Sequence, residues 1–85
     1  MTAFPVRVMV QDVWDEVALS LPSTTSLAEV KRRALNATRV RRAPDEYVLK
    51  FRGAELYDES RSLSDAGIAP NGALIVLPRH RRPVK

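Results

Sequence analysis

The side chains able to do chemistry in this 85-residue chain are few and of two kinds. Carboxylates gather at Asp12, Asp15 and Glu16 around Trp14, and again at Asp58 and Glu59. Paired carboxylates can move protons or hold a hard cation. Both groups fall in short polar connections, where acidic residues serve turn formation and solvation, and they are read that way. Cations form three groups: Lys31, Arg32 and Arg33; Arg39, Arg41 and Arg42; and Arg79, Arg81, Arg82 and Lys85. Fourteen basic residues, eleven of them arginine, stand against 10 acidic ones, for a net charge of +4. Basic groups can meet phosphate or an acidic protein surface. The first group reads as a solvated helix face. Arg39, Arg41, Arg42, Arg79, Arg81 and Arg82 are candidates for binding an acidic partner or nucleic acid.

Other chemistry is excluded by composition. There is no cysteine, so no thiol nucleophile, disulfide or thiolate metal site. The single histidine, His80, lies among arginines in the tail, and no triad or histidine metal cluster can be assembled. Neither a Gly-x-Gly-x-x-Gly run nor a phosphate-binding loop occurs. An enzyme, a cofactor, a metal and a small-molecule substrate are therefore not expected. Hydrophobic residues at 45% and charged residues at 28% are ordinary for one small globular domain. No apolar run approaches the ~18 residues of a membrane span. The start, Met1-Thr2-Ala3-Phe4-Pro5-Val6-Arg7, lacks the charge and apolar stretch of a signal peptide, so a cytoplasmic location is expected.

The elements that must position these residues follow from periodicity. Residues 4–11 alternate, with Phe4, Val6, Val8 and Val10 on one side. Residues 16–21 alternate again, with Val17, Leu19 and Leu21 inward, so the two runs predict a β-hairpin across residues 12–15. Ser26-Leu27-Ala28-Glu29 is a capping-box pattern, in which Glu29 is expected to reach back to the serine N–H. It opens a helix of about three turns, with Leu27, Val30 and Ala34 on one face and its basic residues late, where they suit the macrodipole. A basic connection over residues 38–46 leads to a third strand over residues 47–52, with Leu49 and Phe51 inward. Gly53-Ala54 predicts a turn and Leu56 a short strand. Residues 62–66 suggest a helical turn that leaves Leu63 and Ile68 to plug the core. Pro70-Asn71-Gly72 predicts a turn, and residues 73–77 a last strand with Leu74 and Val76 inward. The order β-β-α-β-β predicts an α+β domain with one mixed sheet packed on one helix.

In this order the chain resembles the ubiquitin family, whose fold is the β-grasp. The resemblance runs from Val6 to Leu77. It is most specific in Leu49-Lys50-Phe51-Arg52-Gly53-Ala54-Glu55-Leu56, then Ser62-Leu63-Ser64-Asp65, then Gly67-Ile68, with Glu29-Val30-Lys31 and Pro44-Asp45 as further matches. It implies a ubiquitin-like domain over residues 1–78 followed by a basic, flexible tail over residues 79–85. Conjugated members of the family end in Gly-Gly. In this sequence Arg82-Pro83 takes that place, and Gly53, Gly67 and Gly72 all lie upstream with no two adjacent. The expectation is a non-conjugating member that works by non-covalent protein binding and is monomeric when free.

The family's apolar recognition patch maps onto Val13 or Trp14 at the hairpin tip, Lys50 on the third strand and Leu77 on the last. Lysine at its centre predicts poor binding by readers of ordinary ubiquitin, because burying an unpaired ammonium is costly. The outward face nevertheless offers Trp14, Val48, Lys50, Ile75 and Leu77 as a candidate protein-docking surface near Arg7 and Met9. An adaptor or accessory subunit is the expected role. Small bacterial β-grasp proteins without Gly-Gly accompany specialised secretion systems or serve as accessory subunits of multicomponent diiron monooxygenases. The opening Ala3-Phe4-Pro5-Val6 resembles the latter, whereas Arg52-Gly53 and Leu63-Ser64-Asp65 fit it less well.

Overall fold

A computed structural model describes residues 4–41 and 43–78. Strand β1 (Phe4–Val10) and strand β2 (Asp15–Leu21) form the expected antiparallel hairpin, paired from Phe4 with Leu21 to Val10 with Asp15. Helix α1 (Leu27–Ala37) follows, then β3 (Tyr47–Phe51), the short β4 (Ala54–Glu55) and β5 (Gly72–Pro78). The sheet has five strands in the order β2-β1-β5-β3-β4. β5 runs parallel to β1 and antiparallel to β3, so the sheet is mixed, as expected.

The inward face of the sheet packs on α1. Val6, Val8 and Val10 of β1, Tyr47 and Leu49 of β3, and Leu74 and Val76 of β5 are buried against Leu27, Val30, Ala34 and Leu35 of the helix. Leu63 and Ile68 close one end of this core, the plug role expected of them. Truncating any of these leucines or Ile68 to alanine would cost on the order of 2–5 kcal/mol.

The start of α1 is secured by the 58–64 loop. Its carbonyls at Arg61 and Glu59 accept from the N–H groups of Leu27 and Ala28, two of the donors a helix start leaves unpaired. The return contacts, Leu63 N–H to Thr25 and Ser64 N–H to Ser23, fasten the same loop to the approach of the helix. The capping box is only half formed. Ser26 Oγ accepts from the Glu29 N–H at 3.2 Å, but the Glu29 carboxylate turns outward to Arg32 and Arg33. Two guanidiniums outcompete one backbone N–H for a carboxylate. Arg32 first, then Arg33, holds the Glu29 carboxyl below its ordinary range. The basic residues also fall short of the last turn of α1, contrary to the expected match with the macrodipole.

The helix stops by a Schellman arrangement: Arg39 N–H bonds to the Asn36 carbonyl and Val40 N–H to the Leu35 carbonyl. Arg39 is left-handed, with φ 63°, at the position where glycine is normally used. Arg39→Gly is therefore expected to stabilise the domain by about 0.5–1 kcal/mol, read by urea unfolding. A loss of stability would show that the Arg39 side chain holds something in place.

The turn expected at Gly53-Ala54 lies one residue earlier, at Arg52-Gly53, so that β3 ends at Phe51, Ala54 opens β4 and Leu56 falls just after that strand, while the turn before β5 is where its sequence signal put it. Arg52 and Gly53 both have positive φ, which is the two-residue type I′ connection between β3 and β4. Asn71 has φ 67° after Pro70, as a type II turn requires. Gly72 admits no side chain, since a Cβ there would lie 2.9 Å from the Ala69 carbonyl oxygen and from Ile68. Residues 62–66 make a single turn, closed by Ala66 N–H to the Ser62 carbonyl and not continued as a helix.

Candidate functional site

Lys31 is the first chemical residue whose place differs from expectation. It is 2% exposed, not part of a solvated helix face. Its Nζ donates to the Tyr47 carbonyl at 2.9 Å and lies 2.7 Å from Glu59 Oε1. Spacing explains this: Leu27, Val30, Lys31, Ala34 and Leu35 form one continuous i, i+3, i+4, i+7, i+8 stripe, and lysine occupies a core position in it. Arg32 and Arg33 are paired with Glu29 on the surface. The first basic group is thus taken up by internal pairing.

Three of the five carboxylates in the acidic groups, Asp12, Asp58 and Glu59, are used similarly. Asp12 Oδ2 accepts from the Tyr47 hydroxyl at 2.8 Å, tying the hairpin tip to the start of β3. Tyr47 itself is fully buried and cannot serve as a stacking platform. Glu59 is committed to Lys31, and Asp58 accepts from both the hydroxyl and N–H of Ser60, which lower its pKa. Among the described residues no three His, Asp or Glu side chains are grouped to hold a metal, and no helix is long and apolar enough to cross a membrane.

Of the anion-binding candidates, Arg39 and Arg41 are exposed near the end of α1. Arg42, Arg79, Arg81 and Arg82 lie outside the described residues.

The outer face of the sheet is assembled by register. Opposed residues in a ladder project to the same side. Glu16 is opposite Met9, Met9 opposite Ile75, Ile75 opposite Lys50 and Lys50 opposite Glu55, so one row crosses all five strands. Beside it stand Leu77, opposite Val48, and Arg7, opposite Ala73. Trp14, Lys50, Ile75 and Leu77 line a groove of about 500 Å³ together with Met9 and Glu16. Ile75 is 43% exposed and Trp14 is 76% exposed. Val48 is a correction: it belongs to this face but is only 7% exposed, being shorter than Leu77 opposite and Lys50 two residues along. It presents almost no surface to a partner.

Trp14 owes its place to an unusual backbone. The hairpin loop makes one 3-10 turn over Gln11–Val13 and closes with Trp14 in the left-handed region, φ 52°. A bulky residue there is an outlier, and a loop of this kind usually places glycine at that point. Of the two tip residues, Trp14 lines this groove and Val13 does not. Trp14 and Leu77 also border a second hollow of about 510 Å³ with Asp12 and Pro78.

No family model matches the chain, and no curated protein does. Solved structures match it well. The ubiquitin-like domain of an Arabidopsis thaliana protein superposes with a TM-score of 0.77 at 18% identity, covering 100% of this chain and 86% of that one. The ubiquitin of Caldiarchaeum subterraneum superposes with a TM-score of 0.77 at 13% identity, covering 95% of this chain and 99% of that one. The fold is the ubiquitin-like β-grasp.

Proposed function

We propose that this protein is a non-covalent protein-interaction module, an adaptor or small accessory subunit, that docks a partner on the outer face of its sheet. The observation that carries this reading is Trp14. A tryptophan that is mostly exposed, held in a strained backbone conformation and set beside Ile75 and Leu77 serves no purpose in the core. Tryptophan is also the residue type most enriched among side chains that dominate interface energy. The half-exposed Ile75 and the apolar groove between them supply the remaining contact area. Chemistry is not the role we assign. Asp12, Glu59 and Asp58 are committed to Tyr47, Lys31 and Ser60, which supports a scaffold reading of these three carboxylates.

Affinity capture from the source organism with wild-type and Ile75→Asp baits tests the proposal. Ile75 is on the solvent side of β5, so the substitution is expected to leave the fold intact while removing a stoichiometric partner. A partner retained equally by Ile75→Asp and by Trp14→Ala would place docking elsewhere, with the exposed Arg39 and Arg41 next to be tested.

A further inference from the structure

The cross-sheet row has a charge pattern that constrains the partner. Lys50 is half-buried, lines the groove between apolar neighbours and takes part in no ion pair among the described residues. Glu55 is opposite it on β4, yet lies beyond 4.0 Å from the ammonium and does not line the groove. In the free protein, water solvates the ammonium. A partner seated on Ile75, Leu77 and Trp14 expels that water, and a desolvated charge without a counter-charge is strongly disfavoured.

Taking the docking reading above as its basis, we propose that the partner inserts an apolar segment carrying one aspartate or glutamate, whose carboxylate pairs with Lys50 in the middle of the groove. Wholly apolar segments are rejected by the same residue. A polyanion is not the occupant. Glu16 lines the same groove opposite Met9, three strand spacings from Lys50 or about 14 Å, and repels a run of phosphates. A single carboxylate set among apolar side chains meets Lys50 without approaching Glu16. Glu16 in turn suits a cation at the far end of the segment.

A random peptide library displayed on phage and selected on the full chain tests this, with a nucleic-acid oligomer as a parallel probe. The expected peptides lose binding to Ile75→Asp and carry Asp or Glu among large apolar residues. Their affinity falls about 30-fold or more on Lys50→Glu and is restored when the peptide acid is changed to lysine. Selection on Lys50→Leu is expected to yield uncharged apolar peptides. Peptides that need Ile75 and Trp14 but show no acidic enrichment, and bind Lys50→Leu equally, would overturn the carboxylate pairing and leave the docking reading standing. They would mean that Glu55 turns to neutralise Lys50 on docking. Peptides indifferent to Ile75 and Trp14, a library that yields no binder, or oligomer binding that depends on Lys50 would overturn the proposal together with the docking reading.

Discussion

Replacing Glu59 with alanine is expected to destabilise the domain by about 3 kcal/mol, a large share of the ~5 kcal/mol at the low end for small domains. The Lys31 side chain is 3% exposed and that of Glu59 is 22% exposed. Losing the carboxylate leaves an ammonium in the core with, among the described residues, only the Tyr47 carbonyl to receive it. The thermal midpoint should fall by roughly 10–25 °C. The reciprocal change, Lys31→Met, is expected to cost less. Methionine fills the same stripe between Leu27 and Leu35, and Glu59, being partly exposed, can recover water. The asymmetry is the informative part. Equal small losses from both variants in urea unfolding would show that the pair is solvated in solution and that Lys31 is not a core residue.

The second large effect separates stability from binding. Trp14→Gly should raise stability by about 0.5–1 kcal/mol, because glycine occupies φ 52° without strain and the mostly exposed indole contributes little packing. The same change should weaken partner binding about 30-fold or more, the loss typical of a tryptophan anchor. Opposite signs in the two measurements, denaturant unfolding and partner titration, are the expected signature of a residue kept for docking at the expense of the fold. A domain that loses stability on Trp14→Gly would instead make the indole a cover for the hairpin edge.

These two residues also show why some features are readable along the chain and others are not. The alternation of Val6, Val8 and Val10 with Arg7 and Met9 reports a half-buried strand because strand geometry puts successive side chains on opposite faces. The 52–53 turn and the Ser26 cap are equally local. Lys31 stands in the i, i+4 stripe of α1, so spacing places it in the core, while its charge and its neighbours Arg32 and Arg33 suggest a solvated face. Spacing prevails because Glu59 and the Tyr47 carbonyl receive the ammonium. The burial of Tyr47 follows from the same alternation as that of Leu49 and Phe51. For Trp14 neither the left-handed backbone nor the direction of the indole followed from the sequence.

Periodicity, capping and turn chemistry act over a few residues, so strands, helix and β-grasp order could be inferred from residue order alone. The pairings that commit the chemical groups are not local. Lys31 meets Glu59 across 28 positions and Tyr47 meets Asp12 across 35, contacts that exist only once the sheet has wrapped the helix. The row from Glu16 to Glu55 is similarly set by strand order and register. It sets Lys50 between Ile75 and Glu55 and buries Val48 while leaving Ile75 exposed, because accessibility depends on neighbours from other strands.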